Sequence, residues 1–302
     1  MSFTVTILGS GSALPTSRRN PTSQFVLCSN RNILIDCGEG TQMQMRKFGV
    51  KFQKIDIVLI SHLHGDHYFG LVGLLSTMHL LGRTKSLKVY GPIGLDLILR
   101  SQLEADGNRL NYTIDVQELT AGYDGELFQD EKIEISTFPL NHRVDTFGFV
   151  IIEKQKEAKL LQKKALRDNV KIEYYHRLKK GEDIVEDGVC IKAEEYTKKG
   201  PPAKKYAFCS DTKYSESIIP FIQNVDLLYH EATFTEKFID RAKSTYHSTA
   251  VQAATIAKLA SVSKLIMGHL SARYENGEVH AQEALEVFSN SSVVEDGDVF
   301  SV

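Results

Sequence analysis

Residues 61–67 read Ser-His-Leu-His-Gly-Asp-His, placing three of the ten histidines beside an aspartate. A solvated polar loop has no need of such a concentration, whereas divalent metal binding does. In a loop, His62 and His64 can face the same way and share one ion, while Asp66 and His67, beyond the Gly65 turn, can face a second. Imidazole and carboxylate donors without thiolate suit Zn²⁺ best, with Mn²⁺ or another divalent ion such as Fe²⁺ as substitute. Two such ions about 3.5–4 Å apart bridge a water, lower its pKa toward about 7 and clamp both oxygens of an in-line displacement. The chemistry predicted for the segment is two-metal hydrolysis.

A loop can aim ligands only if rigid elements hold its ends. Short β-rich runs recur along the chain: FTVTILG, QFVLC, NILIDCG, DIVLIS, LKVYG, KIEISTFPL, TFGFVII, KYAFCS, VDLLY and KLIMG. Helical patterns fall at Gly40–Phe48, Leu71–Leu81, Leu95–Leu103, Ala250–Leu259 and Ala281–Phe288. Several runs are almost continuously apolar, as expected of a sheet covered on both faces, so the class is α/β in layers with helices outside. Five runs end in polar residues able to bind metal or move protons: DIVLIS at His62, ISTFPL at Asn141-His142, AFCS at Asp211, VDLLY at His230-Glu231 and KLIMG at His269. Sites in such proteins form at the carboxyl ends of strands. Asp211 is placed to bridge, because a carboxylate has two oxygens and a charge that offsets two cations. A weak echo between KIDIVLISH and NVDLLYHE is compatible with two similar halves that share the site.

The bulk numbers narrow the class. At 302 residues and 33.9 kDa the chain can bury a large core, and its net charge of −2 does not mark the whole molecule as a polyanion binder. The start runs straight into a strand pattern with no visible signal peptide, and no apolar run is long enough to span a bilayer, so a cytoplasmic protein without membrane contact is expected. The four cysteines are far apart, and Cys37 and Cys209, at the ends of apolar runs, are expected to be buried thiols. Gly9-Ser10-Gly11 is not a dinucleotide loop, because Pro15 and a basic stretch follow it rather than a helix. His247 precedes Ser248-Thr249 and a helical run, where free N–H groups favour phosphate and where the same two residues can act as caps. His79 and His280 fall in helical stretches with no partner pattern and read as structural.

H-x-H-x-D-H resembles the signature of the metallo-β-lactamase superfamily. Together with LGSGSALPT, LIDCGEGTQ, ISHLHGDHYFGLVGLL, FCSDT, HEATF, YHSTAVQAA and GHLSARY, the chain resembles ribonuclease Z, the tRNA 3′-end endonuclease family, along its whole length. The resemblance implies a metallo-β-lactamase-like αββα four-layer sandwich, one catalytic domain over 1–302, two Zn²⁺ per subunit, a homodimer and precursor tRNA as partner. It implies one zinc on His62, His64, His142 and Asp211, and another on Asp66, His67, Asp211 and His269. Asp66 would take the proton of the attacking water, which the two ions would bridge as hydroxide. His247 would donate a proton to the leaving 3′ oxygen, and Glu231 would orient His247. The products would be a tRNA 3′-hydroxyl and a trailer 5′-phosphate. In the family's P-x-K-x-R-N loop, which here reads Pro15-Thr16-Ser17-Arg18-Arg19-Asn20, serine stands for lysine; Arg18 and Arg19 are its candidate RNA contacts, and Arg273 of GHLSARY is either a further phosphate contact or a surface arginine.

Residues 153–205 have a different texture, with fifteen Lys and Arg against ten Asp and Glu. Cationic side chains release counterions from phosphates and so give salt-dependent, sequence-blind affinity, although a charge run is more often only a solvated face. The position of this insertion matches the protruding, flexible tRNA-binding arm of ribonuclease Z. Its expected contacts are Lys163, Lys164, Lys171, Tyr174, Tyr175, Lys179 and Lys180, and NVKIEYYH stands where many family arms have a Gly/Pro-rich tip. The competing functions are a small-molecule ester or thioester hydrolase, which has no use for a basic arm, a di-iron redox protein, and a binding module without catalysis.

Overall fold

The computed structural model describes residues 3–105, 109–186 and 188–302. Two seven-stranded sheets form its larger unit. The first runs, in spatial order, Val299–Ser301, Phe3–Gly9, Ser23–Cys28, Arg31–Ile35, Ile57–Leu59, Leu87–Pro92 and Ile114–Leu119. The second runs Ser291–Val293, Leu265–Gly268, Leu227–Glu231, Lys204–Cys209, Thr146–Glu153, Ile133–Leu140 and Gly125–Gln129. Ile57–Leu59 lies between parallel neighbours, and so does Leu227–Glu231, which directs their C-terminal ends the same way as those neighbours'.

The two-residue period of a strand explains the four layers. Ile33, Ile35, Ile57 and Leu59 face Tyr206, Phe208, Phe149 and Tyr229 in the core between the sheets. The intervening Leu34 and Val58 point outward and pack with Leu71, Leu74, Leu75 and Met78 of the helix Leu71–Leu80. On the other side, Ala207, Cys209 and Leu228 meet Ala253, Ala254 and Ala257 of the helix Ala250–Leu259. Each fully buried Phe of the central layer contributes about 1.5–3 kcal/mol of transfer free energy. The expected αββα sandwich is the observed fold. Cys37 and Cys209 are buried thiols; burial pushes Cys37 up to about 12 and raises Cys209 well above the usual thiol range. Among the described residues no helix is long and apolar enough to cross a membrane.

Glu153–Lys204 forms the second compact unit. It contains helices Gln162–Arg167 and Tyr175–Lys179, a hairpin of Ile184–Glu186 with Val189–Ile191, and its own small core of Ala165, Val170, Leu178, Ile184 and Ala193. The segment is therefore more than a solvated hairpin.

Candidate metal centre

His62 and His64 follow the short strand Ile57–Leu59, and Asp66 and His67 lie on the one-turn helix Gly65–Tyr68. Close packing fixes that turn against LIDCGEG: a Cβ on Gly38 would lie 2.4 Å from the Asp66 carbonyl oxygen, so only glycine fits. His142, Asp211 and His269 each follow a strand of the second sheet. His269 has φ of 60° and Asp36 has φ of 54°. These left-handed conformations are rare outside glycine but more often tolerated by Asp and His, and they collect at functional sites.

The residues converge on three overlapping groups of donor atoms: His62, His64, His142 and Asp211; Asp66, His67 and His269; and Asp211, His247 and His269. In the first, His62 Nε2 is 3.0 Å from His64 Nδ1, and His142 Nε2 is 3.3 Å from the same atom. In the second, Asp66 Oδ2 is 3.4 Å from both His67 Nε2 and His269 Nε2. Asp211 faces both. Its Oδ2 is 3.5 Å from His62 and 3.8 Å from His142, while Oδ1 is 3.5 Å from His67 and 3.2 Å from His269.

Outer hydrogen bonds decide which ring nitrogens point inward as lone pairs. His67 Nδ1 donates to Asp36 Oδ2 at 2.7 Å, and His142 Nδ1 donates to the Tyr246 carbonyl at 2.9 Å. Thr233 Oγ1 donates to Glu231 Oε2, so it accepts from His269 Nδ1 at 2.9 Å. Likewise Ser61 Oγ donates to Asp36 and accepts from His62 Nδ1 at 3.0 Å. Such partners lock tautomer and ring orientation in metal sites.

This donor set fits divalent cations. His67 Nε2, His269 Nε2 and Asp211 Oδ1 are buried, converge on one point and have no hydrogen-bond partner, which is costly unless something else satisfies them. Charge points the same way. Burial alone would depress His67, but the Asp211, Asp66 and Asp36 carboxylates around it raise it well above the usual imidazole range. Burial and the neighbouring imidazoles, His67 foremost, drive His62 well below that range, and burial lowers His64 and His142 despite the pull of Asp211. The direction of all three shifts favours the neutral imidazole, the form that ligates. Burial opposes the charge on Asp66, yet His67 and His269 hold its carboxyl far below the usual carboxylate range.

His247 stands at the edge, between the helix Ile239–Thr245 and the capping box of Thr249 and Gln252 that opens the next helix. Its Nδ1 lies 4.0 Å from Asp211 Oδ2 but is held at 3.0 Å by Glu231 Oε1. Burial would lower His247, and the Glu231 and Asp211 carboxylates raise it to about 9. Glu231 is fully buried and also accepts from the backbone N–H groups of Thr212, Thr233 and Ser248.

Sequence comparison places this geometry among known proteins. Ribonuclease Z of Bacteroides fragilis is 42% identical over 290 residues, 96% of this chain and 95% of its own. Ribonuclease Z of Parabacteroides distasonis is 42% identical over 301 residues, 99% of both chains. The chain belongs to the ribonuclease Z family. As a member it is a metal-dependent hydrolase. Human tRNase Z, short form, shares the fold with a TM-score of 0.73 and 27% identity over 99% of each chain. The metallo-β-lactamase fold protein YhfI of Bacillus subtilis matches all of both chains at a TM-score of 0.71 and 19% identity, which speaks for the fold alone. A family model for the anti-Pycsar protein Apyc1 matches residues 3–174. That match stops short of Asp211, Glu231, His247 and His269, whereas the ribonuclease Z matches run past all four.

The expected RNA contacts are presented unequally. Arg19 is buried, with Nη2 on Glu295 at 2.5 Å and Nη1 on the Tyr274 carbonyl, and it lines a cavity of about 300 Å³ together with Arg18 and Arg273. Arg18 is exposed and bonded to Glu275 at 2.9 Å. Arg273 lies over the rings of Phe234 and Phe238, at 5.1 Å and 4.8 Å. In the second unit Lys171 pairs with Glu186 and Lys164 with Glu195, Tyr174 and Tyr175 are half-buried, and Lys163 and Lys180 are exposed. Lys179 and Lys180, with Lys156 and Lys192, line a cavity of about 890 Å³ within that unit. His230, although it ends a strand beside Glu231, is no part of the cluster: it is buried, with Nδ1 on the Glu231 carbonyl. His79 accepts from the Asn111 N–H, and His280 is buried against Tyr274. Sequence reasoning missed Asp36 as an orienting group. The signal was there, since Asp36 sits in LIDCGEG, at a strand end like the ligands themselves.

Proposed function

We propose that the protein is a zinc-dependent endoribonuclease that removes the 3′ trailer from precursor tRNA near the discriminator, leaving a 3′-hydroxyl on the tRNA and a 5′-phosphate on the trailer. The observation that carries this reading is Asp211, whose two oxygens each face one of two complete donor sets. The names of the full-length relatives, ribonuclease Z and tRNase Z, support the substrate. His62, His64, His142 and Asp211 would hold one ion, and Asp66, His67, Asp211 and His269 the other. Bound divalent ions supply positive charge against the phosphate and acidify water in the site.

The chain's own groups do the rest. Asp66 accepts the proton of the attacking water, its carboxylate turned by the contacts that Oδ2 makes with His67, His269 and the Ala13 N–H. His247 gives a proton to the departing 3′ oxygen. Glu231 holds its Nδ1, which leaves Nε2 as the nitrogen free of these contacts. Lysines of residues 153–204 neutralise phosphates of the tRNA body. A homodimer, which rests on the resemblance alone, and a cytoplasmic location, which rests on the sequence pattern, belong to the same reading.

The test is a metal-replete incubation with a precursor tRNA that carries a 3′ trailer, the cut mapped at nucleotide resolution. One metal-dependent cut next to the discriminator is expected. Zinc uptake and hydrolysis of bis(p-nitrophenyl) phosphate without any cut in the RNA would overturn the substrate and move the activity to a small phosphoester.

A further inference from the structure

The last turn of the chain, residues 295–298, reaches back to the start. Asp296 Oδ1 accepts from the Ser10 backbone N–H at 2.9 Å and from Ser10 Oγ at 2.7 Å. Its Oδ2 accepts from the Asn20 backbone N–H at 2.8 Å, from Asn20 Nδ2 at 2.9 Å and from Gln44 Nε2 at 2.9 Å. A carboxylate offers about four lone-pair sites, so this one is saturated by three separate segments. Gly297 gives the turn its shape, with φ of 101° and a Cβ position 2.5 Å from the Phe48 ring. The neighbouring Glu295 takes Arg19.

Ser10 and Asn20 are the two ends of one loop. Inside it Gly11 N–H donates to the Asn20 carbonyl at 3.0 Å, and Ser12 N–H donates to the Leu270 carbonyl, next to His269, at 3.1 Å. Ala13 follows with φ of 30°, and its N–H donates to Asp66 Oδ2 at 2.8 Å. A non-glycine residue holds such a conformation only when its surroundings over-determine it. Four of the bonds to Asp296, those from Ser10 and Asn20, hold the two ends of the loop, beside the Ser12 to Leu270 bond within it.

We infer that Asp296 is a positioning residue for Asp66, acting through Ser10, Asn20 and the Ala13 amide. The inference deepens the proposed function and rests on Asp66 as the proton acceptor. It does not run through the ligand histidines, because Asp36 and Thr233 orient His67 and His269 independently. Loss of Asp296 therefore lets the loop drift and misdirects the Asp66 carboxylate, while the histidines of the same donor set keep their own supports.

The experiment compares the zinc-loaded wild type, Asp296→Asn, Asp66→Asn and the double variant on bis(p-nitrophenyl) phosphate. Asp296→Asn keeps the shape but turns an amide N–H toward the Asn20 and Gln44 donors. Its kcat is expected to fall by about 10- to 100-fold, with KM and zinc content near wild type. In the Asp66→Asn background the same change should cost nothing further. A wild-type kcat, or an equal loss in both backgrounds, overturns the inference. Normal turnover by Asp66→Asn alone refutes Asp66 as base, a separate failure read from a separate protein. If Asp296→Asn does not fold, Asn20→Ala, which removes one of the five bonds, takes its place; a smaller kcat loss confined to the Asp66 background supports the role, and an unchanged kcat overturns it.

Discussion

Two regions of this molecule concentrate charge. In the metal centre Asp36, Asp211 and Glu231 are buried, and five ring nitrogens, those of His62, His67, His142, His247 and His269, each have an outer partner. In residues 153–204 Lys163, Lys164 and Lys179 lie on short helices of a unit with a core of five buried side chains, and Lys164, Lys171 and Arg177 pair with Glu195, Glu186 and Glu182. Burial makes each charge in the first region depend on its neighbours. Exposure makes those in the second nearly independent, because water and salt screen them. Single changes should therefore be severe and coupled in the one, mild and additive in the other.

Asp211→Ala is the sharpest test. It removes a donor from both sets at once, and the expected result is hydrolysis at background for RNA and reporter alike, with bound zinc reduced by elemental analysis. Retained activity would break the claim that the two sets form one unit. His247→Ala comes next. Loss of a general acid costs about 10²–10⁴-fold, and the loss should appear on precursor tRNA but shrink on bis(p-nitrophenyl) phosphate, whose p-nitrophenolate departs without a proton. Equal losses on both substrates would make His247 a structural residue.

Asp36→Asn leaves every ligand in place, yet it weakens the acceptor shared by His67 Nδ1 and Ser61. A drop of about 10- to 100-fold in zinc affinity is expected, read by competition with a chelator. At the gentle end, Lys179→Ala or Lys180→Ala should weaken tRNA binding only a few-fold, lower the salt slope by about 0.7 to 0.9 and leave reporter hydrolysis unchanged. If either variant impaired the reporter, the contrast between the two regions would fail.

How much of this was legible beforehand follows the same contrast. The strands that end at His62, His142, Asp211 and His269 could be located because apolar runs stop abruptly at a polar residue, and the period of two places alternate residues in different cores. The edge strands Ile114–Leu119, Ser291–Val293 and Val299–Ser301 gave no such signal, since half-exposed residues carry weak patterning. The insertion was visible from its charge, but its small core was not: Ala165, Val170, Leu178, Ile184 and Ala193 are too scattered to show a period.

Residue type and local spacing determined the chemistry of this chain, because a metal needs particular donor atoms and His62, His64, Asp66 and His67 supply them within one short segment, a loop and the single helical turn after it. Tertiary structure decided which of the remaining polar residues join them. His230 and His269 both end strands of the second sheet, yet only His269 turns into the cluster, in a left-handed conformation. Arg18 and Arg19 are neighbours, but one is exposed and the other is closed off by Glu295. Asp296 meets Ser10 across 286 positions of sequence. Side-chain direction and long-range pairing depend on how the layers pack, and local spacing does not encode that.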